Sequence, residues 1–251
     1  MSLCLFLIAA ILAVIVSADP AKPVLATNYQ VSDITEYLVT NTGYPPHVTM
    51  TYSNMYKDSD KKMYRDDIET TTYGTPGPYT TIYDYSETFP TECGPYKTPM
   101  DAARAYMIQK NQCCYFSLVS DCGQSTATAD TFETPTFPKK VEYMGSSSSY
   151  PNVPTEADFW QNTLYLKQEV PMITNNYYID STDGETLLEM DTFVLIQTQF
   201  INVTTTYSGK WNVGSQDASI FDHSQYDCSK VCQGAVGRAM QVSGHQLSSK
   251  K

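Results

Sequence analysis

Positive charge is scarce in this chain: 16 lysines and arginines against 27 acids leave a formal net charge of -11 over 251 residues. Binding a phosphate backbone needs Lys and Arg to displace counterions, so nucleic acid is excluded as a partner. Histidine is scarcer still, with His47, His223 and His245 alone. General acid–base and nucleophilic catalysis draw first on histidine, so the supply for an enzyme is thin. Asp222-His223-Ser224 are sequence neighbours, whereas the members of a triad converge from separate segments. Nothing among the acids nominates a glycosidase pair, and the expectation is a non-enzymatic protein. The chain also lacks an internal repeat, which disfavours a propeller or solenoid. Beyond its first residues it has no apolar run long enough to span a bilayer, so no transmembrane anchor is expected.

That first run, residues 2–16, is apolar and uncharged and leads into Val16-Ser17-Ala18, a small-x-small cleavage pattern. It is short of the roughly 20 residues a spanning helix needs, so residues 1–18 read as a signal peptide and the protein as secreted. Removing it takes Cys4 and leaves Cys93, Cys113, Cys114, Cys122, Cys228 and Cys232. Such a set in an oxidising compartment favours disulfides. Cys113 and Cys114 are adjacent, so on a strand they face opposite ways and seek different partners. The expected arrangement has one closing onto the Cys93 or Cys122 loop and the other tying the Cys228–Cys232 end to the core. Zinc is disfavoured because no C-x-x-C pair or nearby histidine completes a ligand set.

What is present in quantity is aromatic: 20 Tyr, 9 Phe and 2 Trp, with much threonine, a composition suited to pleated, half-buried surfaces. Residues 19–46 read as an extended N-terminal segment, 47–232 as one β domain and 233–251 as a disordered tail. Alternation from His47 to Tyr56, a turn at Asp58-Ser-Asp-Lys-Lys and a return from Lys62 predict a hairpin. Tyr79 to Tyr85 predicts a third strand. Cys114 to Val119 predicts a central one. Further strands fall at Asn162–Leu166, Asn176–Ile179, Thr186–Glu189 and Phe193–Val203, with Asp183-Gly184 as a turn. Thr98–Gln109, alanine-rich behind Pro99, is the one helical stretch expected, with a second helical turn near Val153–Asp158. The fold class is therefore all-β, a sheet curling over itself with one or two short helices.

Two ion or modification sites can be nominated. Asp180, Asp183 and Glu185 put three carboxylates around one turn, a calcium candidate that departs from the EF-hand spacing. Asn202-Val203-Thr204 is the single N-x-[ST] sequon, marking Asn202 for glycosylation if its strand reaches the surface. Met50, Tyr52, Tyr83, Phe116, Phe193 and Trp211 are candidates to line an apolar cleft with adaptable walls, the competing reading being a filled core.

The chain from Val48 to Cys228 resembles the ependymin-related secreted family, whose domain is similar to the bacterial LolA/LolB lipoprotein carriers. The resemblance is carried by Arg65-Asp66-Asp67, Ile82-Tyr-Asp-Tyr85, the Cys113-Cys114 strand and Phe137 to Gly145 ahead of Trp160. The ending Trp211-Asn-Val-Gly214, Asp217, Ile220-Phe221, Tyr226, Cys228 belongs with them. The resemblance implies two curled antiparallel sheets, a LolA-like half-barrel or sandwich, around an apolar pocket that holds a small molecule or lipid. It also implies calcium, glycosylation and disulfides outside the cell. The adjacent cysteines, the Thr/Pro-rich insertion from Gln124 and Tyr226 in place of proline depart from the family. Taken together these readings give a binding protein for an apolar ligand, with an extracellular structural or adhesive protein, calcium-dependent or homodimeric, as the alternative.

Overall fold

The computed structural model describes residues 20–40, 47–71, 77–93, 98–121, 125–126, 132, 137–165, 171–196 and 199–232. The predicted signal peptide and tail, Cys122 and the side chains of Met50 and Cys93 lie outside the described residues.

Strands β1 (Asn28–Thr40), β2 (His47–Asp58), β3 (Met63–Thr71), β4 (Tyr79–Cys93), β5 (Thr98–Gln109) and β6 (Gln112–Ser117) form one antiparallel meander. A small hairpin, β7 (Val119–Asp121) with β8 (Ser125–Thr126), follows it. A second meander comprises β9 (Glu142–Ser147), β10 (Ala157–Tyr165), β11 (Pro171–Asp180), β12 (Leu187–Ile196) and β13 (Gln199–Tyr207). β1 pairs with β2 on one side and β13 on the other, so the two meanders make one twelve-stranded sheet whose ends, β6 and β9, do not meet. The expectation of two separate sheets is corrected accordingly. The cause is β1 itself: it lies within the stretch read as a leading segment, and its hydrogen bonds run to both sides. A sheet this wide must coil through the twist of its strands.

Local chemistry sets the corners. The β2–β3 turn is closed by Asp58, whose carboxylate accepts from Lys61 N at 3.0 Å, with Lys62 at φ +58°. Lys110 and Asn111, both at positive φ, make the two-residue turn of the β5–β6 hairpin, the geometry that matches strand twist. At Ser32-Asp33 the register of β1 shifts, and the chain crossing from β13 to β14 (Trp211–Val213) passes directly over it. A Cβ on Gly209 would sit 2.1 Å from the Ser32 carbonyl oxygen, so only glycine fits there.

Other expectations also need correction. Thr98–Gln109 is strand β5, not a helix: Ala102, Ala103 and Ala105 are wholly buried between neighbouring strands, where small side chains fit and helix propensity is overridden. Near Val153 the chain makes a turn and enters β10 as a strand; the one helical piece among the described residues is a 3₁₀ turn, Ala218–Phe221. The Cys114–Val119 strand is at the edge of the sheet, not its centre. The Phe193–Val203 run is divided between β12 and β13. Both members of the adjacent cysteine pair bond to the C-terminal segment, Cys113 to Cys228 and Cys114 to Cys232. They do take different partners, as opposite-facing neighbours must, but neither closes onto the Cys93 or Cys122 loop.

Those bonds fasten a strap, residues 215–232, across one face of β2–β6. Asp58, with no exposed side-chain surface, accepts from Lys61 Nζ, Ser215 Oγ and Gln216 N. Arg65 Nη1 donates to Ile220 O at 2.5 Å. Phe221 is buried against Ile82, Tyr106 and Cys113, and His223 stacks on Tyr106 at 3.7 Å. The strap ends by adding Val231 as a parallel neighbour to Tyr115, which covers an otherwise open edge.

Candidate functional site

Directly paired residues on adjacent strands point to the same face of a sheet, so the register assigns side chains to faces. The face opposite the strap carries one row running Tyr29, Lys57, Tyr64, Tyr83, Ala105, Phe116 from β1 to β6. Beside it runs Trp211, Val31, Met55, Asp66, Thr81, Met107. A third row crosses the other half of the sheet: Glu36, Thr205, Met190, Tyr177, Trp160, Tyr143. Rings lie in contact along these rows. Tyr83 meets Phe116 at 6.4 Å and Tyr64 at 5.3 Å; Trp211 meets Tyr29 at 5.0 Å and Tyr207 at 5.6 Å. On the far half Trp160 meets Tyr143 at 5.1 Å and Phe137 at 5.9 Å.

This face is a lined hollow rather than a flat surface. Glu36 keeps a water-accessible side chain, yet burial by the surrounding protein raises its pKa. Asp66 is pushed up to about 7, first by burial and then by the charges of Glu36 and Asp67. Burial followed by Asp66 raises Tyr29, Tyr64 and Tyr83 well above the usual phenol range, and Tyr79 to about 12. Groups that are half accessible but heavily desolvated line a concavity. Its two ends are covered. Leu25, Phe137 and Val141 pack over Trp160 and Tyr177, while Phe132 sits against Tyr85 with Lys57 and Lys62 over its ring.

Three polar atoms on this face are buried without a hydrogen-bond partner among the described residues: Asp66 Oδ1, Trp160 Nε1 and Trp211 Nε1. Each such group carries a desolvation penalty unless something answers it. A separate shallow depression of about 220 Å³ opens near Asn54, Ile68, Tyr79 and Ile108; none of the predicted lining residues borders it.

Of the predicted cleft residues, Tyr83, Phe116 and Trp211 come together on the hollow face. Tyr52 does not: it pairs with Thr35 on the opposite, outer face and is 41% exposed. Phe193, opposite Thr174 and Asn202, is also on the outer face. Met50 holds the register position opposite Tyr37, and its side chain lies outside the described residues. Sequence reasoning missed Tyr29, Tyr64, Tyr177, Trp160 and Asp66; strict alternation within β3 was the signal that could have found Tyr64 and Asp66.

The calcium candidates do not converge. Asp180 Oδ1 accepts from Thr182 N at 2.8 Å, and Asp183 accepts from Glu185 N, Thr186 N and Thr186 Oγ1. Both carboxylates cap their own turn, and no three His, Cys, Asp or Glu among the described residues form a metal-sized group. Asn202 lies inside β13, flanked by β1 and β12, with Oδ1 buried, rather than at a strand end. Asp222 caps Ser224 N, and His223, within the strap, stacks on Tyr106.

No protein-family profile and no curated protein matches the chain. Solved structures do. It is similar to an uncharacterized conserved protein from Thermus thermophilus, at 10% identity and TM-score 0.40 over 78% of this chain and 85% of that one. A LolA superfamily protein from Nitrosomonas europaea matches at 8% identity and TM-score 0.31, covering 82% and 93%. An outer membrane lipoprotein-sorting protein domain from Vibrio parahaemolyticus matches at 6% and 0.28, covering 78% and 90%. At these scores the likenesses carry no inference about function, and none of them touches the ependymin-related part of the resemblance. No helix among the described residues is long and apolar enough to cross a membrane.

Proposed function

We propose that the protein is a secreted, non-enzymatic carrier or binding domain that holds an apolar ligand, such as a lipid, in the hollow of its curled sheet. The observation that carries the reading is the aromatic lining from Phe116 to Tyr143, against which the described chain sets only the small β7–β8 hairpin at the β5 end and single side chains at the other. Aromatic and methionine walls suit adaptable apolar contact. Met55, Met107 and Met190 lie in these rows beside the rings. The two disulfides are consistent with an oxidising compartment. The adhesive alternative needs convergent acidic loops, and the Asp180–Glu185 turn offers none. Organic extraction of the native protein followed by mass spectrometry, with uptake of a fluorescent lipid as the second arm, tests the reading. A stoichiometric apolar molecule or saturable uptake supports it; neither in a correctly disulfide-bonded sample overturns it.

A further inference from the structure

The hollow differs from a plain greasy groove in its polar atoms. Among the described residues, the indole N–H of Trp160, 5% exposed, has no acceptor, and that of Trp211 has none either. Both belong to the cluster that includes Tyr207, and Trp160 shares a cross-strand row with Glu36 while Trp211 shares one with Asp66. Trp211 and Asp66 both approach Tyr29: the indole ring lies 5.0 Å from the phenol ring, and the Asp66 charge is one of the causes that raise that phenol's pKa. Cations are nearly missing: among the described strand residues of this face Lys57 is the one positive side chain, and its ammonium lies over Phe132. A carboxylate or phosphate brought into the hollow would meet Glu36 and Asp66, with Lys57 the one cation of these rows to set against their charge.

Resting on the function proposed above, we infer that the ligand is an uncharged lipid with both a carbonyl acceptor and a hydroxyl donor, of the glycerol-ester type. Its carbonyl takes the indole N–H of Trp160 or Trp211, and its hydroxyl donates to Asp66 or Glu36. A protonated Asp66, whose pKa burial brings near 7, returns a hydrogen bond of its own. The acyl chain lies along the Tyr64–Tyr83–Phe116 row.

The test is displacement of diphenylhexatriene from the full, unreduced protein at pH 7.5 by 1-monooleoylglycerol, oleate and oleylamine, which share a chain and differ in head group. The glycerol ester should displace the probe at least about tenfold better than oleate, as a desolvated carboxylate facing acids requires. Trp211→Phe should weaken the ester about fivefold relative to diphenylhexatriene, the scale of one lost hydrogen bond. Trp160→Phe should do the same; if it fails to fold, Trp211→Phe and Glu36→Lys carry the test, the latter raising oleate affinity. Oleate or oleylamine matching the ester, or tryptophan variants that leave the ester's affinity unchanged, would overturn the inference while leaving an apolar-ligand carrier standing. Absence of diphenylhexatriene binding would defeat the carrier reading itself.

Discussion

The two faces of the same strands are finished in opposite ways. Over β2–β6, the outer face is sealed by residues 215–232: a buried carboxylate answered by Lys61, Ser215 and Gln216, a guanidinium tied to Ile220, a phenylalanine plug and the Cys113–Cys228 disulfide, while Cys114–Cys232 joins the Met107–Phe116 cluster on the other face. Where nitrogens on that side lack a hydrogen-bond partner, they lie against rings: Arg104 is held between Phe89 and Tyr115 at 4.0 and 4.1 Å, and His223 stacks on Tyr106. The other face keeps Tyr29, Tyr64, Tyr83 and Tyr143 half covered and, among the described residues, leaves two indole donors and a carboxyl oxygen unanswered. On the carrier reading proposed above, the partly accessible face is the one that receives the ligand. Stability should therefore reside mainly in the strapped face and binding in the hollow one.

Removing both bonds of the strap with Cys113→Ala and Cys114→Ala should have the largest effect. Each bond closes a loop of more than a hundred residues, with separations of 115 and 118. Once one is shut, the other adds only a small loop. Loss of both should lower unfolding free energy by about 4–5 kcal/mol and loss of Cys114–Cys232 alone by about 1 kcal/mol. Denaturant titration measures both, and equal, additive losses would break the picture of one shared strap. Asp58→Ala takes the counter-charge from Lys61, which keeps the Gln216 carbonyl, and leaves the Gln216 amide without its acceptor; it should cost about 3 kcal/mol, with lipid uptake intact at low temperature. Gly209→Ala forces the β1 bulge to move and should cost about 2 kcal/mol; because it lies beside Trp211 it should disturb both faces.

Acidity sharpens the contrast further. Hydrogen bonds from Lys61, Gln216 and Ser215 outweigh the opposing effect of burial and hold Asp58 below the ordinary carboxylate value. Its contribution is thus present above the unfolded pKa near 4 and is lost as pH falls through the lower folded value. Asp66 on the hollow face and Glu189 on the outer face are both pushed up to about 7, mainly by burial. Between about pH 4 and 7 the folded state keeps protons that the unfolded state has released. Stability should decline across that window as pH rises. Asp66→Asn should flatten the decline and raise stability at pH 8 by on the order of 1 kcal/mol, discounted for the water that reaches the group. A pH profile unchanged by that substitution would mean Asp66 is better solvated than its position on β3 implies.

Much of this was legible in the sequence, because strand alternation is local. Tyr79–Tyr85, the Asp58–Lys62 turn and the Asp183-Gly184 turn fall where the residue pattern puts them. β5 was not legible, since its alanines favour a helix and only packing between β4 and β6 makes it a strand. Nor was the joining role of β1: Tyr29, Val31 and Ile34 alternate across a bulge that shifts the pattern by one, and their distant partners lie in β14 and β13 far along the chain. The hollow was half legible for the same reason. Tyr83, Phe116 and Trp211 were found as aromatics, but Tyr52 and Phe193 look identical in sequence, and only register separates inward from outward. The disulfide partners depended on the path of the strap, which no spacing rule encodes.

Native mass spectrometry of the unreduced protein, before and after mild denaturation in organic solvent, bears most directly on the carrier account. The account predicts a mass above that of the disulfide-bonded polypeptide that disappears on denaturation and yields an uncharged lipid. A bare polypeptide mass in both states, together with failure to take up lipid on reloading, would mean that the aromatic face is a core and not a binding site.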